Sequence, residues 1–197
     1  MQSLLEKSRS GDRVKWVEEM RQQIPEIEVL PSVCGFDQDE VLGELRNAGL
    51  AYHGLAFKNY GVLACWLTKF KGFQMQVDQQ IPAACWLEDD LLLGHTFETG
   101  EFAKDFILRT SKDIDPTCNI LRYGGWGECY VTFLDGAKRL VEKLRTDGIR
   151  GNVDNQLNWC GEKHIPGFSY RLKCWSNWGD TLKGKEIEES LRADFAG

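Results

Sequence analysis

The chain has 197 residues, of which 42% are hydrophobic and 27% charged, and these are the values of an ordinary globular protein with one sizeable core. Its net charge of -6 argues against a general nucleic-acid binder, which needs a basic surface. No apolar run approaches the roughly 20 residues of a membrane span, and no basic-then-apolar signal opens the chain, so we expect a cytoplasmic protein. The seven cysteines lack Cys-x-x-Cys spacing, which argues against a zinc site and favours reduced, mostly buried thiols.

Hydrophobic periodicity predicts alternating helices and strands. A helix that leads directly into a strand, after an earlier strand and helix, is typical of an α/β sheet with parallel members. We expect one domain over residues 1–197, whether it stands alone or belongs to a longer protein, with residues 177–197 as a peripheral tail. In chain order, the predicted helices cover 14–23, 41–48, 59–80, 137–144 and 152–157, and the predicted strands cover 27–30, the stretch from 83 to the acidic residues that follow it, 120–123 and 128–133.

The apolar residues between Asn59 and Gln80 recur at spacings of three and four, which predicts a long helix with one apolar face. Several of these residues are aromatic. We interpret the stripe as core rather than as a ligand surface, because such stripes normally pack against other elements. The stripe consists of Leu63, Trp66, Leu67, Phe70, Phe73 and Val77.

An acidic run follows this helix, where Glu88, Asp89 and Asp90 interrupt an otherwise apolar stretch. Isolated carboxylates are costly to bury, so these side chains must lie at the end of the strand, in a cleft or on a cation. A metal with oxygen ligands would hold all three together, whereas the plainer alternative is an acidic surface turn. Ligands of open α/β sheets bind beyond the carboxyl ends of the strands, and this rule favours a functional site at the acidic run.

Two features of the later half are candidates for binding or catalysis. Asp154 stands near the start of the last predicted helix, where a carboxylate is more often a cap than a catalytic acid. Several aromatic residues also lie in this half. Because sugar faces stack well on aromatic rings, we hypothesise an acceptor groove there, with core packing as the alternative for most of them. These residues are Trp126, Tyr130, Trp159, Trp175 and Trp178.

A set of short motifs occurs in a fixed order along the chain. The motifs are Gly11–Arg13, Leu30–Asp37, Gly61–Phe70, Leu87–Asp90, Tyr130–Thr132 with Gly136–Lys138, and Val153–Leu157. In this order and spacing they resemble glycosyltransferase family 25, which includes lipopolysaccharide-type glycosyltransferases and procollagen galactosyltransferases. The resemblance extends from residue 4 to residue 175.

The resemblance implies a GT-A-like fold, with a mixed, mostly parallel central sheet flanked by helices. It also implies a metal-dependent enzyme that takes a sugar from a nucleotide diphosphate donor, usually a UDP-sugar. The enzyme would transfer the sugar, with inversion, to a hydroxyl of a glycan or glycoprotein acceptor. The implied cofactor is Mn²⁺ or Mg²⁺, which takes hard oxygen ligands and stabilises the charge that grows on the leaving diphosphate.

By the same resemblance, the acidic run is the DxD-like metal motif of the family. Asp90 is then the direct metal ligand, and Glu88 and Asp89 contact the metal, its waters or the ribose of the donor. His164 is a further candidate ligand, and the alternative for it is an exposed loop residue.

The remaining roles that the resemblance implies concern the donor and the acceptor. Arg13, in the loop after a short first strand that ends at Leu5, would meet the nucleotide. Asp154 would act as general base or as a clamp on the acceptor, since a carboxylate near the attacking hydroxyl suits proton removal. Trp126 and Trp159 are the aromatic residues that we expect in the acceptor groove.

The chain departs from the family at Thr68 and Lys69, where a Ser-His pair is typical. Lys69 either replaces the histidine as a contact to the donor diphosphate or is simply solvated. The departure gives weight to a second function, a non-catalytic module of the same fold that binds nucleotide sugars or glycans. A third possibility is a glycoside hydrolase, whose two opposed carboxylates Glu88 and Asp154 could supply.

Overall fold

The computed structural model describes residues 12–53, 59–88, 120–123, 129–153, 156 and 170–173, and these residues form a mixed arrangement of helices and strands. The predicted helices at 14–23, 41–48, 59–80 and 137–144 are confirmed, and so are the strands that begin near 83, 120 and 128. In chain order the elements are α1 (Asp12–Gln23), α2 (Gln38–Ala48), α3 (Tyr60–Asp78), β1 (Ala83–Leu87), β2 (Ile120–Tyr123), β3 (Cys129–Phe133), α4 (Leu134–Asp147) and β4 (Tyr170–Lys173).

Local sequence signals account for the ends of α2 and α3. The side chain of Asp37 accepts a hydrogen bond from the backbone N–H of Glu40 and caps the start of α2. Gly49 ends the same helix in the left-handed conformation, with a φ of 66°, which glycine adopts without steric cost. Asn59 caps α3 in the same way as Asp37 caps α2, accepting a hydrogen bond from Val62 N–H at 3.1 Å.

The four strands form one mixed sheet in the order β1-β3-β2-β4. Strand β3 pairs antiparallel with both β1 and β2, while β2 pairs parallel with β4. Three of the four strands therefore run in the same direction, and β3 runs against them. The pairing expected as mostly parallel is parallel in one of the three described strand pairs.

Helix α3 lies across the sheet and forms the centre of the core. The predicted apolar stripe is confirmed as core, since Trp66, Leu67 and Phe73 are all fully buried. The indole N–H of Trp66 donates to the carbonyl of Gly151 at 2.8 Å, which ties the segment after α4 to the middle of α3. Helix α4 packs along α3, and its five buried residues are Gly136, Ala137, Leu140, Val141 and Leu144.

The strand predicted at residues 27–30 is wrong, because this segment has no regular secondary structure. Pro25 and Pro31 flank it, and proline has no N–H to donate to a ladder. The side chain of Val29 is 40% exposed, so the weak alternation of the segment has no buried face behind it. The strand-helix unit that predicted a parallel neighbour for β1 is therefore missing at this position.

The thiols also differ in part from the expectation. The structure describes the side chains of three cysteines, Cys34, Cys65 and Cys85, and none of these three is in a disulfide. Cys65 and Cys85 are exposed and Cys34 is half-buried, so the prediction of mostly buried thiols is wrong for this part of the chain. Within the described ranges, no helix is both long enough and apolar enough to cross a membrane.

Candidate active site

Glu88 lies at the edge of the sheet where three strands end. The last residues of β1, β2 and β4 are Leu87, Tyr123 and Lys173, and they lie in register with Cys129, the first residue of β3. Glu88 follows Leu87 directly. The carboxyl ends of the three co-directional strands therefore meet at the edge that carries Glu88, which confirms the predicted position of this part of the acidic run.

One face of α3 packs against β1 and β3 next to this edge of the sheet. Lys69, Phe73 and Gln76 are spaced by four and three residues, so they share a face of the helix. The ring of Phe73 meets Trp86 edge-on at 5.8 Å and Tyr130 at 6.2 Å between ring centroids. Trp86 on β1 and Tyr130 on β3 are direct cross-strand partners. The helix face thus covers the same face of β1 and β3 that leads to Glu88.

Lys69 and Glu88 form a short ion pair at this edge. Lys69 Nζ lies 2.8 Å from Glu88 Oε1 and donates a hydrogen bond to it. The lysine side chain is only 11% exposed and the glutamate side chain 32% exposed, so water screens this pair less than an ordinary surface pair. The expectation that Lys69 is simply solvated is therefore wrong.

The ammonium of Lys69 also lies over the ring of Tyr130, at 5.1 Å from the ring centroid. Burial alone would lower the pKa of Lys69, but Tyr130 and the negative charge of Glu88 outweigh it and hold the pKa above its usual value. Lys69 is therefore positively charged throughout the physiological range, and Glu88 faces a permanent cation.

Tyr130 is buried, with 1% of its surface exposed, so of the two alternatives for this residue, acceptor groove or core, the structure shows core packing. Burial raises the pKa of its phenol above the usual value, while the charge of Lys69 acts in the opposite direction. The hydroxyl oxygen has no hydrogen-bond partner of good geometry among the described residues, although the ammonium of Lys69 interacts with it. A buried hydroxyl in this state is costly and calls for a reason.

A buried polar network joins α3, β1 and β3. The indole N–H of Trp86 donates to the hydroxyl of Thr132 at 2.7 Å, and that hydroxyl donates to the side-chain oxygen of Gln76 at 2.6 Å. The amide nitrogen of Gln76 donates to the carbonyl of Thr132 at 2.9 Å. Sequence reasoning missed this network. Its one available signal was Gln76 itself, a polar residue three positions after Phe73 on the apolar face.

Thr68, the other residue at which the chain departs from the family pattern, has a structural role. Its hydroxyl donates to the carbonyl of Ala64 at 2.9 Å and accepts a hydrogen bond from the N–H of Val33 at 3.0 Å. The motif Leu30–Asp37 is thereby held against α3. Gly35 adds to this contact, because a Cβ at its position would lie 2.8 Å from the backbone of Gly61.

Helix α3 thus joins parts of motifs that are far apart along the chain. It contacts the Leu30–Asp37 motif through Thr68 and the acidic run through Lys69. It contacts the Tyr130–Thr132 motif through Gln76, and the segment just before Val153 through Trp66. Described residues of three other motifs, and the segment before a fourth, therefore contact this helix.

The other predicted site residues fall into two groups. Arg13 lies inside α1, which begins at Asp12, so its predicted position in a loop before the helix is wrong. The rest lie outside the described residues, namely the predicted ligands Asp89, Asp90 and His164, the predicted base Asp154 and the acceptor-groove candidates Trp126 and Trp159.

The neighbours of Asp154 are firmly held. Val153 and Gln156 are buried on either side of it. The side chain of Gln156 donates to the carbonyl of Gly148 at 2.9 Å and accepts from the N–H of Arg150 at 3.0 Å.

No family model matches the chain, and no curated protein matches its sequence.

Proposed function

We propose that the protein is a glycosyltransferase of GT-A-like fold, which moves a sugar from a nucleotide diphosphate donor, a UDP-sugar, to a hydroxyl of a glycan or glycoprotein. The transfer depends on a divalent metal and inverts the anomeric centre. The observation that supports this proposal is the position of Glu88 at the carboxyl edge of three co-directional strands, where it already binds a cation, the ammonium of Lys69.

The acidic run would supply oxygen ligands for a hard divalent cation. Glu88 offers carboxylate oxygens, and Asp89 and Asp90 follow it in the chain, so these three residues would hold Mn²⁺ or Mg²⁺, with His164 as a further ligand. When bound, the metal stabilises the negative charge of the leaving diphosphate. The buried ammonium of Lys69 supplies a second positive charge at the same edge.

The remaining roles of the proposal belong to Asp154, Arg13, Trp126 and Trp159. Asp154 removes the proton from the attacking hydroxyl or holds the acceptor. Arg13 contacts the nucleotide from the first turn of α1. Trp126 and Trp159 bind the acceptor sugar by stacking.

A second candidate is a non-catalytic module that binds a nucleotide sugar or a glycan. The Lys69–Glu88 pair favours it, because a carboxylate that is already neutralised by a lysine is less available to a metal. Binding of the donor without turnover, with varied acceptors, would support this second candidate.

The test is a thermal-shift screen of UDP-sugars and GDP-sugars with and without Mn²⁺, on the wild type, on Asp90→Ala and on the control Asp39→Ala. Asp39 is an exposed carboxylate in the first turn of α2. A ligand that binds the folded protein raises its melting temperature by mass action.

We expect a rise in melting temperature that needs both the nucleotide and the metal, persists in Asp39→Ala and disappears in Asp90→Ala. Release of UDP in the presence of a glycan acceptor then separates the enzyme from the binding module. If no nucleotide shifts the melting temperature of the wild type, the glycosyltransferase proposal is wrong.

A further inference from the structure

We infer that Cys34 and Cys65 form a redox-sensitive pair, which glutathione disulfide converts from two thiols into a bridge between the Leu30–Asp37 motif and helix α3. In the structure neither cysteine is in a disulfide. The proposed sugar transfer uses neither thiol, so this inference goes beyond the proposed function and does not depend on it.

Two contacts align this motif with α3. The N–H of Val33 donates to the hydroxyl of Thr68 at 3.0 Å. A Cβ at Gly35 would lie 2.8 Å from the Cα of Gly61, so the two backbones touch at this point with no side chain between them. From position 33 to position 35 the contacts thus move back along α3 from Thr68 to Gly61, and the motif runs antiparallel to the helix.

The two cysteines lie between these contacts, on the facing stretches of chain. Cys34 is the residue between the two that make the contacts in the motif. Cys65 comes four positions after Gly61 and three before Thr68, and residues at these spacings are neighbours on the surface of a helix. A disulfide needs Cα atoms about 4.4–6.8 Å apart. The register of the contacts places Cys34 opposite this part of the helix surface, at the short range that a bridge requires.

Cys65 is the thiol that reacts first. Its side chain is exposed, whereas that of Cys34 is half-buried. The ammonium of Lys69, one turn further along α3, interacts electrostatically with Cys65. A cation beside a thiol favours the thiolate, which is the attacking form in disulfide exchange. Cys34 then acts as the resolving thiol.

Cys85 is the matched comparison, because it is also exposed. It precedes Trp86 on β1, and the ring of Trp86 packs against Phe73 of α3. Successive side chains of a strand point to opposite faces of the sheet, so Cys85 lies on the face away from α3. Exposure alone therefore does not give Cys85 the neighbours of Cys65.

The reaction consists of two thiol–disulfide exchanges. The Cys65 thiolate attacks one sulfur of glutathione disulfide, which forms a mixed disulfide and releases one glutathione. Cys34 then attacks the Cys65 sulfur, which forms the bridge and releases the second glutathione. The two cysteines lose two electrons and two protons in all, and the two glutathione molecules gain them. The bridge closes a loop of about 30 residues that contains α2, and such a cross-link stabilises mainly by restricting the unfolded chain.

The experiment exposes the full-length wild type, Cys34→Ser, Cys65→Ser and the control Cys85→Ser to glutathione disulfide. Remaining thiols are alkylated, and the proteins are digested with trypsin without reduction and analysed by mass spectrometry. Cys34 and Cys65 are the only cysteines of the tryptic peptides 22–46 and 59–69. We expect these two peptides to be linked in the wild type and in Cys85→Ser, and dithiothreitol to separate them. We expect no such link in Cys34→Ser or Cys65→Ser.

Two further measurements tie the bridge to the folded chain. We expect it to form at least about ten-fold faster in the native wild type than in urea, because folding holds the two thiols together. We also expect the oxidised wild type to melt at a higher temperature than the reduced one, with no such rise in Cys34→Ser.

Three results would overturn the inference. The first is a wild type in which the two peptides stay unlinked, whether Cys65 keeps a glutathione or pairs with another cysteine such as Cys129. The second is a bridge that forms as fast in urea as in the native chain. The third is an oxidised wild type that melts no higher than the reduced one, because the native backbone would then not accommodate the bridge. None of these results bears on binding of a nucleotide sugar, so the proposed function is tested separately.

Discussion

Gln76 and Thr132 exchange two hydrogen bonds in the core, one from the Thr132 hydroxyl to the Gln76 side-chain oxygen at 2.6 Å and one from the Gln76 amide to the Thr132 carbonyl at 2.9 Å. Both residues are completely buried. The exchange joins α3 to β3 and fixes the position of the helix relative to this strand. Because Trp86 also donates to Thr132, the same pair orients the indole of Trp86.

Replacing Gln76 by leucine keeps the volume of the side chain but leaves the Thr132 hydroxyl without its acceptor. An unsatisfied buried polar group costs about 1–3 kcal/mol, so we expect the free energy of unfolding to fall by about that amount. Urea denaturation measures the change. The matched control is Gln74→Leu on the same helix, whose hydrogen bonds are exposed and whose loss we expect to cost under about 0.5 kcal/mol. Equal effects at the two positions would contradict the role given to the buried network.

Gly72 is the point at which α3 comes closest to β1. A Cβ at this position would lie 2.6 Å from the ring of Trp86, so we expect Gly72→Ala to destabilise the protein by about 1–3 kcal/mol despite the better helix propensity of alanine. Gly43, in α2, has nothing within 4 Å of the same virtual atom. Gly43→Ala should therefore stabilise the protein by up to about 1 kcal/mol. Chemical denaturation of both variants tests the opposite signs, and a stabilised Gly72→Ala would show that the contact with Trp86 is not close.

Glu88 neutralises a buried ammonium, so its removal has a cost that surface glutamates lack. We expect Glu88→Gln to lower the free energy of unfolding, in the absence of metal, by about 1–2 kcal/mol, below the range for fully buried pairs because Glu88 is partly exposed. Glu44→Gln breaks the exposed pair with Lys71 and should cost under about 1 kcal/mol. Urea denaturation of the two variants at neutral pH makes the comparison. A larger loss at Glu44 would mean that Lys69 does not depend on Glu88.

The buried phenol of Tyr130 makes stability depend on pH in the alkaline range. Its pKa is raised in the folded protein from an ordinary value of 10.0. Above about pH 10 the unfolded chain has therefore lost a proton that the folded chain keeps, and the free energy of unfolding must fall as pH rises. Below about pH 10 both states are protonated, and this contribution is constant.

Tyr130→Phe isolates this contribution, because it removes the titrating group and keeps the ring. We expect the difference in unfolding free energy between the wild type and Tyr130→Phe to be constant at neutral pH and to turn against the wild type above about pH 10. Urea denaturation at a series of pH values gives this difference directly. A difference that stays constant through the alkaline range would mean that Tyr130 titrates in the folded protein as it does in the unfolded chain.

The parts of the fold that follow from local pattern were predictable. The apolar spacing of Leu63, Trp66 and Phe70 marks α3, and the capping residues Asn59 and Gly49 mark helix ends. Strand pairing was not predictable in the same way, because period-two alternation says which face of a strand is buried but not which strand lies beside it. The antiparallel partner of β1 comes from β3, more than 40 positions further along the chain.

The site shows the same division. The composition of the acidic run indicated a position at a strand end, and Glu88 lies there. Its partner Lys69 was predicted to contact the donor or the solvent. The two residues are 19 positions apart in the chain, so no local pattern relates them. Only the packing of α3 on β1 brings them together. The burial of the Tyr130 hydroxyl beside Lys69 is likewise invisible in a sequence, where tyrosine in a strand is ordinary.

The face of α3 that carries both Lys69 and Gln76 limits changes in chain length between these two residues. Lys69 and Gln76 are seven positions apart, close to two complete helical turns, so their side chains lie on the same face of the helix. That face therefore provides both the ion pair and the buried network. Inserting or deleting a single residue between them would turn one about 100° away from the other. The chain could then satisfy the Thr132 network or the Glu88 carboxylate, but not both. We therefore expect that insertions and deletions between Lys69 and Gln76 are not tolerated, even where substitutions at the intervening positions are.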